Sequence, residues 1–327
     1  MHNSIQICKI KSHWGRNYGN SKPIAHNPSP VRGDIIKKHH HMLPQAIQNF
    51  INSLHQESIH QFSSVGGGSI NETYRYAVGD EEFFIKYNNE VEGIIEKEVD
   101  GLKAITKLNC IATPEVIAFE KMDGYEVLIM SYIQGGLKTA IAWENFGKQL
   151  AAMHQNPAPY YGWHQENFIG SLPQSNEKMD DFIEFFIHQR LKPQIRLAQQ
   201  HQYFASKELS LFEDLFQKLD TILPDTEPSL VHGDLWSGNF MIGEKGTPYL
   251  IDPSIHYNFR ETDIAFTHLF GGFDSKFYDS YHHHFPLEPG FQDRISLYNI
   301  YPLLVHLNLF GRGYYSSVMN NLNRYVR

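Results

Sequence analysis

One stretch limits the possible folds of this chain more than any other. It runs Leu230-Val231-His232-Gly233-Asp234-Leu235-Trp236-Ser237-Gly238-Asn239-Phe240 and, past a turn at Gly243 to Gly246, continues as Tyr249-Leu250-Ile251-Asp252. Apolar runs flank a polar loop, and an acid, an amide and a second acid recur at defined intervals: Asp234 and Asn239 are five apart, and Asp252 ends an apolar strand. An ordinary polar loop beside a hairpin would match these residue types and spacings only by coincidence.

Asp-x-x-x-x-Asn is the spacing of a kinase catalytic loop, in which the acid accepts the proton of the acceptor hydroxyl and the amide binds Mg²⁺. Asp252 is placed as a second metal ligand, and oxygen ligands beside a phosphate make magnesium the expected ion. The first half of the chain supplies matching parts. A short helix (Ile47, Phe50, Ile51, Leu54) precedes Gly66-Gly67-Gly68, which leads into a strand from Glu72 to Val78, a turn at Gly79-Asp80 and a strand from Glu82 to Tyr87. The glycine run lies between strands, so its amides can approach an anion closely. It leads into no helix, which excludes a dinucleotide fold, and no Gly-x-x-x-x-Gly-Lys-Ser/Thr loop occurs.

Lys86 closes its apolar strand and offers a compact charge for α- and β-phosphates. A helix is predicted from Glu90 to Leu108, and its stripe of Ile94, Ile95, Val99, Leu102 and Ile105 is centred on Glu98. An acid in that position needs a charged partner, for which Lys86 is the natural choice. Strands at Val116 to Glu120 and Glu126 to Ile133 flank a turn at Asp123-Gly124, and Gln134-Gly135-Gly136 reads as a hinge into a helical second half. The expected architecture is α+β and bilobal, with residues 42–134 as a small antiparallel-sheet lobe and 135–327 as a larger helical one.

Composition removes other classes. The formal charge of −8 and the lack of a basic stripe argue against nucleic acid as a partner. The richest apolar stretch, Tyr298 to Phe310, is broken by Asn299, Pro302, His306 and Asn308, so no membrane span is expected. Two cysteines, Cys8 and Cys110, form no disulfide framework, and a cytoplasmic setting is expected. Residues 1–41 hold seven Lys or Arg against one acid, Asp34, and precede Met42, so they read as disordered or adventitious. His282-His283-His284 cannot converge on one ion from consecutive helical positions. Oligomeric state has no signature here.

From the glycine run to near the C-terminus the chain resembles the fructosamine kinases, or ketosamine-3-kinases, within the protein-kinase-like fold shared with aminoglycoside phosphotransferases and choline kinases. The resemblance rests on Gly67-Gly68-Ser69-Ile70-Asn71-Glu72, Glu98 to Leu102, Asn167-Phe168-Ile169-Gly170-Ser171-Leu172-Pro173-Gln174, His232 to Asn239, Asp252-Pro253, Leu269-Phe270-Gly271-Gly272-Phe273 and Leu307-Asn308-Leu309-Phe310-Gly311. It implies ATP-dependent phosphorylation, at O3 of the sugar, of a small-molecule ketosamine or a glycated protein lysine. Asp234 is then the proton acceptor, Asn239 and Asp252 the Mg²⁺ ligands, Lys86 the phosphate-binding lysine and Glu98 its orienter. Gly66, Gly67, Gly68 and Ser69 cover the phosphates, and adenine lies against Ser131-Tyr132-Ile133. His232 is structural, and Asp263 resembles the acid that braces the catalytic loop. Ser69 stands where some relatives carry a redox-active cysteine, and Asp252-Pro253-Ser254 departs from Asp-Phe-Gly, so neither thiol control nor a phosphorylated activation loop is expected.

For the acceptor, Trp236 either flanks the sugar or packs its loop onto the helical lobe; Asn167 and Phe168 are further candidates, whereas Phe182, Phe185 and Phe186 read as core. Two other readings stay open: a same-fold kinase for an aminoglycoside or amino alcohol, and an inactive ATP-binding module.

Overall fold

The computed structural model describes residues 43–66, 71–225 and 227–326; residues 1–41 and the glycine-run residues Gly67, Gly68 and Ser69 lie outside them. The chain opens with α1 (Gln45–Leu54) and β1 (Ile59–Ser64), β2 (Glu72–Val78) and β3 (Glu81–Asn88). Helix α2 (Ile94–Leu108) follows, then β4 (Val116–Met122) and β5 (Tyr125–Ser131). These five strands form one antiparallel sheet in the order β1-β2-β3-β5-β4. Side chains alternate across a sheet, so each strand feeds two layers. Tyr74, Tyr76, Phe83, Ile85, Val127 and Ile129 pack with Leu43, Ile47 and Ile51 at α1. Leu128 and Met130 turn the other way, onto Ile94, Ile95, Val99 and Leu102 of α2. Lys86 is paired with Leu128, which sets it on the α2 side of the sheet.

The helical stripe falls where its period predicts, and Glu98 is buried with it. The helix nevertheless starts at Ile94, not Glu90. Asn88 Oδ1 accepts the Glu90 and Val91 amides at 2.8 Å each, and Gly93 takes φ 84°, so these residues form a turn ahead of the first helical one. Strand β5 ends at Ser131, two residues earlier than expected, where the chain leaves the sheet.

The second part continues with α3 (Ala140–His154), the hairpin β6 (Asn167–Ile169) and β7 (Leu172–Gln174), and α4 (Phe182–Phe185). A π-turn at Phe186–Leu191 joins α4 to α5 (Lys192–Gln200), with α6 (Ser206–Phe216) and α7 (Leu219–Ile222) beyond. Then come β8 (Ser229–Val231), β9 (Phe240–Ile242), β10 (Pro248–Leu250) and β11 (His256–Asn258). Five helices close the chain: α8 (Glu261–Leu269), α9 (Ser275–His284), α10 (Phe291–Tyr298), α11 (Ile300–Phe310) and α12 (Tyr315–Val326). Their shared core takes in Phe182, Phe185 and Phe186, as expected, and His282 to His284 lie exposed on α9. No helix among the described residues is long and apolar enough to cross a membrane.

The expected hinge at Gln134-Gly135-Gly136 is fastened to the second part. The Gly136 amide donates to Ile242 O at 2.7 Å and the Glu244 amide to Gln134 O at 3.1 Å. A Cβ on Gly136 would lie 2.1 Å from Gly243 O, so only glycine permits this approach.

Candidate active site

Lys86 and Glu98 meet because strand alternation and helical period aim them at each other. Lys86 Nζ lies 2.7 and 2.9 Å from the Glu98 carboxylate oxygens and 2.6 Å from Asp252 Oδ1. Lys86 is 3% exposed and Glu98 8%. Burial pushes the Glu98 carboxyl up to about 7 against the pull of Lys86, since one ammonium is shared by two acids. For Lys86, burial opposes the charge, but both carboxylates outweigh it and raise its pKa.

Asp252 sits just beyond β10 with φ 53°, a left-handed conformation, and its carboxylate meets Lys86 of β3. Burial works to raise its pKa, yet the Lys86 ammonium holds it below the usual carboxylate range. The Ile251 amide donates to Asn239 O at 3.1 Å, which brings the strand end of Asp252 beside the end of the loop from His232 to Asn239.

That loop is braced by buried groups. Asp263, in the first turn of α8, accepts the His232 amide at 2.7 Å and the Gly233 amide at 2.9 Å, while His154 Nε2 donates to it at 3.2 Å. Burial raises the Asp263 pKa, but the His154 bond and charge outweigh it and leave the carboxyl below its usual range. His232 donates from Nε2 to Ile251 O at 2.9 Å and accepts the Asp234 amide at Nδ1. Burial lowers its pKa, so this imidazole is a neutral spacer. Gly233 has φ 82°, and a Cβ there would lie 2.1 Å from Ser254 O.

Asp234 is thereby held with its carboxylate accepting from Asn239 Nδ2 at 2.8 Å. Burial raises its pKa to about 7, the Asn239 bond opposes this, and the charges of Asp252 and Asp263 add to it. Because Asn239 Nδ2 also donates to Asp234 O at 2.9 Å, the amide nitrogen is committed and Oδ1 is the end available to a cation. Asn239 Oδ1 and the half-exposed Asp252 carboxylate are oxygen donors of the hard type that suits Mg²⁺.

Where β5 leaves the sheet, the Ser131 amide donates to Glu115 O and the Tyr132 amide to Glu82 O, so both amides of this part of the expected adenine contact are committed to neighbouring strands. Arg75 covers the Tyr132 ring at 4.3 Å. Gly66 is exposed with open space around its α-carbon, next to Val65, whose amide donates to Thr73 O.

The acceptor-side candidates separate. Trp236 folds over Gly238, where a Cβ would meet the indole at 2.1 Å, and stays half-buried two residues after Asp234. Asn167 is instead buried: Nδ2 donates to Ile255 O at 2.8 Å, and Oδ1 accepts from Gln174 and Asn176. Its partners commit it to bracing the segment after Asp252 rather than to facing an acceptor. Phe168 packs on the α2 layer, and its carbonyl accepts the Ser254 hydroxyl.

Sequence reasoning missed Glu126. This buried β5 carboxylate accepts the Gly93 amide at 2.8 Å and the Ile95 amide at 3.0 Å, and so caps the N-terminus of α2. An acid inside Val127-Leu128-Ile129-Met130's apolar strand was the available signal. Gln174 and Tyr301 were missed too; Gln174 Nε2 donates to Ser254 Oγ, and the Tyr301 hydroxyl donates to Gln174 Oε1 at 2.6 Å.

Comparison with known proteins agrees across the whole described chain. A sequence model of the fructosamine kinase family matches residues 42–327. A probable ketoamine kinase of Synechocystis sp. is 36% identical over 276 residues, covering 82% of this chain and 91% of that protein. The chloroplastic protein-ribulosamine 3-kinase of Oryza sativa subsp. japonica is 35% identical over 272 residues, covering 81% of this chain and 78% of the relative. A crystal structure of a candidate fructosamine-3-kinase from Thermobifida fusca superposes with a TM-score of 0.79 at 28% identity, covering 86% of this chain and 99% of the other. A spectinomycin phosphotransferase shares the fold, with a TM-score of 0.53 at 15% identity over 86% and 93% of the two chains.

Proposed function

Because this chain belongs to the fructosamine kinase family, a family of hydroxyl-phosphorylating enzymes, we propose that it transfers the γ-phosphoryl group of ATP to the 3-hydroxyl of a ketosamine, in a protein-deglycation role. The observation that carries this reading is the Asp234 carboxylate, raised to about 7 and held by Asn239, with Lys86 and Asp252 joined close by.

In this mechanism Asp234 accepts the proton of the sugar 3-hydroxyl as its oxygen bonds to the γ-phosphorus and the bond to the ADP leaving oxygen breaks. A pKa near 7 leaves about half of the carboxylate unprotonated at neutral pH and matches its basicity to the proton it accepts. Asn239 fixes the direction of that carboxylate. Lys86 exchanges Asp252 for the α- and β-phosphates while Glu98 retains it. Asn239 Oδ1 and Asp252 would hold Mg²⁺, which would supply charge neutralisation at the phosphates. Gly66 to Ser69 cover the phosphates, Ser131, Tyr132 and Ile133 take adenine through the backbone, and Trp236 offers the sugar an aromatic face. Residues 42–134 form the nucleotide-holding lobe in this account and 135–327 the acceptor lobe. The scarcity of cysteine supports a cytoplasmic setting.

The test is to supply purified protein with Mg-ATP and a panel of glycated lysines, aminoglycosides and choline, following ADP release and product mass. Phosphorylated glycated lysine is the expected product, with the 3-position located by fragmentation or NMR. Transfer confined to an aminoglycoside or to choline overturns the assignment.

A further inference from the structure

Arg190 is among the largest fully buried side chains, at 1% exposed, and the transfer step makes no use of it. It belongs to the π-turn Phe186–Leu191, which buries Gln189, Arg190 and Leu191 in succession, and widened helical turns of this kind recur at functional sites. Among the described residues no carboxylate pairs with it. Its guanidinium lies 4.5 Å from the Phe185 ring centroid and 5.7 Å from that of Tyr301. Nη1 donates to Ser175 O at 2.6 Å and to Gln189 O at 3.0 Å, Nη2 donates to Asn176 Oδ1 at 2.7 Å, and Nε meets no acceptor among the described residues. Burial lowers its pKa to about 10, which leaves it charged at neutral pH.

A buried cation without a counter-ion is costly, and an apolar side chain of similar volume often serves a core as well or better. What a guanidinium adds is direction, because it has only donors and no acceptor. That property passes along a line of amides. With Asn176 Oδ1 taken by Arg190, Asn176 Nδ2 donates to Asn167 Oδ1 at 2.9 Å. Gln174 Nε2 donates to the same oxygen at 2.8 Å, so Asn167 Nδ2 donates onward, to Ile255 O at 2.8 Å. Gln174 Nε2 also reaches Ser254 Oγ at 2.8 Å, which leaves its Oε1 for the Tyr301 hydroxyl, and Ser254 passes its own proton to Phe168 O at 2.5 Å. A side-chain amide alone can sit in either of two orientations. Here the cation at one end and the carbonyls of Ile255 and Phe168 at the other admit one orientation for each.

The line ends on the segment directly after Asp252. The Ser254 amide donates to His232 O at 2.9 Å, and a Cβ on Gly233 would meet Ser254 O at 2.1 Å. A shift of Ser254 therefore moves Asp252, two residues before it, against the loop in which Asp234 follows Gly233.

We propose that Arg190 is a positioning residue for phosphoryl transfer, acting through the one-way line of Asn176, Asn167 and Gln174 to fix residues 253–255 and with them the separation of Asp252 from Asp234. The proposal rests on the roles read above for those two aspartates and on no particular acceptor.

The experiment compares the wild type, Arg190→Met, Arg190→Lys and Gln174→Glu on whichever acceptor of the panel the wild type uses best, with amide hydrogen exchange followed in parallel. Arg190→Met keeps the volume and removes every donor. It is expected to lose about 10- to 100-fold in kcat while KM for ATP and for the acceptor stays within about threefold. The Ser254 amide should exchange about tenfold faster, with the amides of α3 and α9 unchanged. Arg190→Lys keeps the charge without the planar fork and recovers part of kcat. Gln174→Glu separates direction from charge: it adds a carboxylate next to Ser175, where Nη1 is bound, but cannot donate to both Asn167 and Ser254, so kcat falls here too.

Wild-type kcat in Arg190→Met, or in Gln174→Glu, overturns the positioning role while leaving the kinase assignment intact. Faster exchange throughout the molecule, matching the loss of kcat, overturns it as well, since Arg190 would then only hold the fold together. Should Arg190→Met fail to fold, Arg190→Lys and Gln174→Glu decide, and wild-type kcat in both sinks the idea. A wild type that transfers phosphate to no acceptor in the panel overturns the kinase reading and the positioning role together.

Discussion

Lys86 faces two acids, one buried and one half-exposed, so the effects of removing them are unequal. Glu98→Ala strips one carboxylate from a buried ammonium, a type of change that costs about 3–5 kcal/mol when the remaining charge is stranded. Asp252 still answers Lys86 at 2.6 Å, which places the expected loss at the lower end of that range, together with a raised KM for ATP. An unchanged melting curve and unchanged ATP kinetics would refute a supporting role for the pair. Asp234→Asn is expected to reduce kcat by about 10² to 10⁴ while nucleotide still binds, as judged by calorimetry with Mg-ADP. The same residue sets an acid limb. The base is active only when deprotonated and its pKa is raised to about 7, so kcat/KM falls about tenfold per pH unit below that value and levels above it. A flat profile from pH 5.5 to 8 would remove Asp234 from the role. These residues were legible because type and spacing alone distinguish Asp234, Asn239 and Asp252, and because an acid in an apolar stripe marks Glu98.

At the level of elements, α2 is positioned at its N-terminus and at its middle. Glu126 caps its N-terminus from β5, and further along, a Cβ on Gly101 would lie 2.9 Å from the Pro253 ring, so the helix touches the segment that carries Asp252. Glu126→Gln keeps an acceptor but loses the charge at the helix dipole, and is expected to cost about 0.5–2 kcal/mol by chemical denaturation. Glu126→Ala leaves the Gly93 and Ile95 amides unpaired at a buried site and costs more, with kcat/KM for ATP falling because Glu98 rides on the same helix. Equal stability and kinetics for the wild type and Glu126→Ala would show that α2 is held by packing alone. The helix stripe was readable from its period, but its first turn was not, since Asn88 and Gly93 redirect the chain locally. The cap was hidden because it comes from a strand about thirty residues away, and Asn167 was misjudged because its partners Ile255, Gln174 and Asn176 become neighbours only on folding.

Across the whole molecule, the β2-β3 and β4-β5 strand pairs, the α+β division and the helical second half follow from local patterns, whereas β1, the pairing of β3 with β5 and the relation between the two parts do not. A Gly-Gly linker reads as a free joint, yet its amide is spent on Ile242 and its lack of a side chain on Gly243. The Gly136 amide is therefore expected to exchange slowly with deuterium, on the scale of the surrounding core rather than of a loop, and exchange within seconds would show that the clasp opens freely. Gly136→Ala should break it and lower the melting temperature by several degrees, about 2–4 °C per kcal/mol for a chain of this size. The clasp also decides where this enzyme can be cut. A two-piece version divided at 134–136 would sever the chain inside the surface that its fragments must rebuild. The tip at Asp123 and Gly124, where a side chain on the glycine would meet nothing within 4 Å, is instead the place at which a grafted reporter leaves the sheet and the clasp untouched.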